Sequence, residues 1–122
     1  EERYRILIDL GRQLPEFPEA ERTEANRVDG CTSNVWLICR RDEDDPQRLV
    51  FLADSDAFIV KGLIALVLMA YSGATPEEIQ ATDIRDLFRQ LGLERNLSPN
   101  RRDGFYAMVD RIHELAAEAR AA

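Results

Sequence analysis

The residue order predicts an α+β domain, in which a small antiparallel sheet of about three strands packs against helices. Three observations carry that reading. A helix-periodic segment opens the chain, two runs rich in β-branched, aromatic and aliphatic residues flank a charged turn, and helix-periodic segments fill the remainder. At 122 residues the chain reads as a single domain, residues 1–122, long enough to bury a core without staples.

Tyr4, Leu7, Ile8 and Gly11 recur at helical spacing with Arg3, Arg5, Asp9 and Arg12 between them, which predicts an amphipathic first helix ended by Leu14-Pro15. Pro15 to Asn26 reads as a polar connection. Arg27-Val28 is a short extended piece, and Asp29-Gly30 is a turn signal. Asn34 to Arg40 and Arg48 to Ala53 read as strands joined through the charged turn Arg41 to Gln47, a hairpin. Asp54-Ser55-Asp56 offers N-cap oxygens to a helix over Ala57 to Tyr71. That helix is apolar on nearly every side apart from Lys61, the pattern of a buried central helix, and it is shorter than the ~20 apolar residues of a membrane span. Thr75-Pro76-Glu77-Glu78 opens a short helix with cap, N1 proline and first-turn acids in place. Ile84 to Leu91 is another, ended by Gly92. Ser98-Pro99 starts the last helix, whose buried stripe is Phe105, Met108, Val109, Ile112 and Ala116.

Hydrophobic residues make up 45% and charged residues 32%, which places the chain in the soluble globular class. A net charge of -7 argues against nucleic acid as a partner, because phosphate contacts need Lys and Arg clustered on one face. No membrane partner is indicated. Two cysteines cannot form a disulfide framework, and no secretory apolar segment is present, so a reducing, cytoplasmic setting is expected. The sequence opens at Glu1 rather than methionine, which leaves processing at the N-terminus open. If residues 34–39 are extended, Cys31 and Cys39 lie roughly 16 Å or more apart, beyond the ~7 Å Cα limit of a disulfide, and stay independent thiols.

The candidate reactive group is Cys31, in Gly30-Cys31-Thr32-Ser33 at a loop tip entering the sheet. A thiol there has little packing to do and can reach a partner, whereas structural cysteines favour the core. The alternative is a small loop residue without chemistry. Cys39, at the end of an alternating strand, reads as a core residue. Cys31, Cys39 and His113 lack ligand spacing, so neither a metal site nor a histidine-activated nucleophile is indicated, and His113 reads as a surface or cap residue. Gly62 sits inside an apolar helix, where close helix packing explains it. Lys61, the only lysine, is expected to pack its stem and send its ammonium to a carboxylate or to the surface.

Three separated blocks, Asn26 to Leu37, Asp54 to Ala65, and Leu97 to Arg101 with Gly104, together resemble the SufE family of sulfur-acceptor proteins, and the likeness runs from Tyr4 into the final helix. The chain departs from the family pattern at Thr32 and Asn34, where glutamine is common. The resemblance implies a SufE/IscU-like fold and no cofactor. It also implies two partners: a pyridoxal-phosphate cysteine desulfurase of the SufS kind, which gives up persulfide sulfur, and an Fe-S assembly scaffold of the SufB kind, which receives it. On that reading Cys31 carries the sulfur, and the chain stimulates the donor as an accessory protein rather than an independent enzyme. Gly30, Thr32, Ser33, Asp56 and Arg101 then lie at the partner-facing loop. Arg101, a cation in the first turn of the last helix, has no dipole reason to be there, which favours a contact role. Asp56 is either a helix-start acid or a docking residue. The loop, flanked by Gly30, Val35 and Trp36, is expected to tuck the thiol against apolar surface when unpartnered, raising its pKa, and to turn outward on docking. Two rivals remain: a scaffold that assembles the cluster itself, and a thiol-based regulatory adaptor without sulfur cargo.

Overall fold

The structure, a computed structural model of the chain, describes residues 2–90 and 92–121. Glu1, and Leu91 at the expected end of the fourth helix, lie outside them. The order of regular elements is helix α1 (Glu2–Arg12), strands β1 (Val35–Arg41) and β2 (Leu49–Ser55), then helices α2 (Phe58–Tyr71), α3 (Pro76–Ala81), α4 (Ile84–Gln90) and α5 (Pro99–Ala121). The α+β class is as expected. The sheet has two hydrogen-bonded strands, antiparallel, with Val35 opposite Ser55 and Arg41 opposite Leu49. The expected third strand is reduced to one bridge, Arg27 to Trp36, because the chain turns at Asp29-Gly30 before a ladder can extend.

The segment expected as a plain polar connection contains two 3-10 turns, Glu19–Glu21 and Glu24–Asn26. Asn26 closes them by donating through Nδ2 to the Glu21 carbonyl at 2.9 Å.

α2 is the central helix, with Leu63, Ile64 and Val67 each 1% exposed. Its apolar character is nevertheless wider than its burial, since Phe58 is 69% and Met69 73% exposed. α1 lies against α2 with almost no gap: a side chain at Gly62 would run into the Leu7 carbonyl, and one at Gly11 would meet the Gly62 nitrogen at 2.8 Å. Close helix packing is therefore what Gly62 is for.

Asp54 and Ser55 continue β2 instead of capping α2. The N-cap of α2 is Ala57, without a side-chain cap bond, and the Ala57 N–H turns back to Ser55 Oγ at 3.2 Å. The capping box at Thr75 and Glu78 forms as expected. Likewise the Arg101 N–H donates to Ser98 Oγ (3.3 Å) at the start of α5.

The expected stripe of α5, Phe105, Met108, Val109, Ile112 and Ala116, is buried throughout. Phe105 stacks on Phe88 of α4 with centroids 4.2 Å apart. His113 is neither a cap nor a free surface residue. Tyr71, fully buried at the end of α2, gives its hydroxyl proton to the Thr82 carbonyl (2.8 Å) and accepts from the Ile84 N–H (3.1 Å). His113 Nε2, 3.3 Å away, is then the donor to the phenol oxygen, so one buried ring joins α2, the α3–α4 connection and α5.

Candidate functional site

Cys31 lies on a loop whose ends are fixed in the core. The Val28 N–H donates to the Val35 carbonyl at 2.9 Å, and Val28 and Val35 are 5% and 0% exposed. The six residues between them, Asp29 to Asn34, therefore project from a base anchored in the core. Gly30 has φ of 89°, a left-handed conformation that a side chain would strain, which explains the glycine before the cysteine.

The thiol points inward. Cys31 Sγ is 3.5 Å from the Gly104 carbonyl, to which it donates, and a Cβ at Gly104 would stand 3.4 Å from the sulfur. Gly104 is the seat of the thiol, and a side chain there would come into direct contact with the sulfur. Beside the seat is a cavity of about 30 Å³ whose deep wall includes Val35, Val60, Leu63, Phe105 and Met108. Thr32, Ser33 and Arg101 line it as well. Burial among these apolar groups pushes the Cys31 thiol above its ordinary pKa, with Arg27 pulling it down and Asp29 pushing it up by smaller amounts.

The expectation that the thiol tucks against apolar surface agrees with this geometry, but the surface is different in part. Val35 lines the cavity, whereas Trp36, its neighbour on the alternating strand, faces the Arg22 guanidinium 5.1 Å from its ring. Sequence reasoning missed Gly104, Val60 and Met108 as wall residues; helical spacing marked the last as core, but nothing local linked it to a loop so far back in the chain.

Asp56 accepts a hydrogen bond from Asn34 Nδ2 at 2.8 Å, which ties the exit of the loop to the residue preceding the α2 cap. Arg101 is exposed at the cavity wall and makes no ion pair among the described residues. Cys39 is half-buried on β1, opposite Phe51, and both cysteines are free thiols. Burial raises its pKa too. Lys61 sends its ammonium to Asp54, 3.4 Å from Oδ1. Among the described residues no three or more histidine, cysteine or acidic side chains are grouped to hold a metal ion. No described helix is long and apolar enough to cross a membrane.

Residues 1–116 match the family described as SufE, Fe-S metabolism associated domain. The chain belongs to the SufE family. An uncharacterised SufE-like protein of Rhizobium etli is 47% identical over 117 residues, which covers 95% of this chain and 79% of that protein. Another, of Rhizobium meliloti, is 46% identical over 118 residues, covering 95% of this chain and 84% of that protein. The solution structure of a hypothetical protein from Thermus thermophilus shares the fold with a TM-score of 0.79 at 20% identity, over 98% of this chain and 85% of that one. The SufE match associates the chain with Fe-S metabolism, and it spans all three blocks that carried the resemblance.

Proposed function

We propose that this SufE-family protein accepts sulfur on Cys31 from the persulfide of a pyridoxal-phosphate cysteine desulfurase, stimulates that enzyme, and passes the sulfur to an Fe-S assembly scaffold in the cytoplasm. The observation that carries the reading is the seated thiol: a free cysteine on a six-residue loop with an anchored base, held beside an atom-sized apolar cavity.

The chemistry needs nothing else from this chain. The Cys31 thiolate attacks the terminal sulfur of the donor persulfide, the S–S bond of the donor breaks, and the donor cysteine leaves as a thiolate. The new S–S bond lies between Cys31 and the transferred atom, so one disulfide-type bond replaces another with no external oxidant or reductant. Delivery to the scaffold repeats the exchange with Cys31 as leaving group.

Seating explains how the same thiol is quiet in the free protein. Burial favours the protonated form, which is a poor nucleophile, and keeps the sulfur from solute oxidants. When a partner draws residues 29–34 outward, the desolvation is relieved and the thiolate becomes accessible. Arg101, exposed and without a carboxylate partner among the described residues, stands where a persulfide anion or an acidic partner group would meet it.

The test is turnover of cysteine by the desulfurase with wild-type protein, Cys31→Ser and Cys39→Ser. Stimulation by wild type and by Cys39→Ser, and its loss in Cys31→Ser, is expected. Stimulation that depends on Cys39 instead would overturn the site assignment.

A further inference from the structure

The base of the thiol loop rests on a charge cluster some way from the sulfur. Asp54 is 8% exposed, and its carboxylate is shared by Arg22 and Lys61. The Arg22 guanidinium lies over two rings, 5.6 Å from the centre of Phe17 and 5.1 Å from that of Trp36, and also reaches Glu19 Oε2 at 3.0 Å. Trp36 is opposite Asp54 in the sheet, and on its other edge it bridges Arg27, one residue before the loop base at Val28. Arg22 therefore fastens the segment from Phe17 to Arg27, which feeds the loop, onto β1 and β2. Lys61 meets the same carboxylate from α2, an element that does not lead into the loop.

We infer that Arg22 and Asp54 form a positioning pair for Cys31, holding the segment that enters the loop so that Sγ reaches its seat on Gly104. The charges that act on the thiol itself are Arg27 and Asp29, so the coupling runs through backbone placement and not through the field of the cluster. Arginine suits the task because its guanidinium lies over both rings while its N–H groups serve two carboxylates, which a lysine ammonium does not reproduce. Loss of the pair lets residues 22–28 shift, and the thiol spends more time off its seat. The inference deepens the carrier reading, and its functional meaning rests on that reading.

Two variants separate positioning from general stability, because each removes one cation from the same carboxylate but only one releases the loop. Arg22→Met and Lys61→Met are alkylated with iodoacetamide, and the rates at Cys31 and Cys39 are resolved by peptide mass. Cys39, a half-buried thiol on β1, reports general loosening. Arg22→Met is expected to raise the Cys31 rate about fivefold or more while Cys39 stays within about twofold, and Lys61→Met is expected to leave both within about twofold. An unchanged Cys31 rate in Arg22→Met, an equal rise in Lys61→Met, or a rise at Cys39 in step with Cys31 overturns the inference. Should Arg22→Met fail to fold, Arg22→Lys, which keeps the charge and loses the guanidinium over the rings, is judged by the same criteria. Alkylation uses no sulfur donor, so its outcome stands apart from that of sulfur transfer measured on the wild-type protein.

Discussion

A helix glycine is ordinarily a weakness, costing about 1 kcal/mol relative to alanine, so Gly104 in the interior of α5 points to a competing demand. That demand is the Cys31 sulfur, which a Cβ at position 104 would touch at 3.4 Å. Gly104→Ala therefore separates stability from function: the urea midpoint is expected to hold or rise, while alkylation of Cys31 becomes several-fold faster. Unchanged alkylation would mean that the seat tolerates the methyl and that Gly104 has another purpose. The turn that carries Cys31 was legible in the sequence, because Asp29-Gly30 is a local signal and Gly30 takes the positive φ it suggests. The seat of the thiol was not, since Gly104 and Cys31 meet only through the tertiary fold. Asp54 was also misread, for a run of Asp-Ser-Asp before an apolar helix carries the same local signal whether it caps the helix or ends a strand. The decisive cations, Arg22 and Lys61, come from elsewhere in the chain.

Among the elements, the loop and the α1–α2 pair show opposite design. The loop is held at its exit by Asn34 and Asp56, an exposed hydrogen bond worth under about 1 kcal/mol. Asp56→Ala is thus expected to quicken Cys31 alkylation with little change in the melt. A large loss of stability with unaltered alkylation would make Asp56 a helix-start acid only. α1 and α2, by contrast, leave no room. Gly62→Ala is expected to cost about 1–3 kcal/mol in urea unfolding, because the methyl would meet the Leu7 backbone, which cannot rotate aside. A neutral result would show that α1 slides freely on α2. The helices and hairpin were readable from periodicity and caps, since each signal is local. The third strand was not, because a two-residue extended piece forms a strand only if a partner edge continues beside it, and here the turn at Gly30 intervenes.

On the scale of the whole molecule, the two half-buried thiols make the protein sensitive to alkali. Burial raises both pKa values above the ordinary thiol value of about 8.5, so the unfolded chain gives up these protons at lower pH than the native one. Their contribution to stability is present below the unfolded value and is lost as pH rises through the folded ones. The melting temperature is expected to fall as pH rises past the ordinary thiol value of about 8.5, and to fall less in the Cys31→Ser, Cys39→Ser double variant. Equal slopes would mean that the thiols are not desolvated. Together, the anchored base, the glycine seat and the atom-sized cavity hold one sulfur atom in, and the proposed carrier releases it on contact with its partner. Intact-mass analysis after incubation with a cysteine desulfurase and cysteine tests that claim most directly. The account predicts a gain of one sulfur atom, located on Cys31, retained in Cys39→Ser and absent in Cys31→Ser; an unchanged mass with the desulfurase bound, or sulfur carried on Cys39, would contradict it.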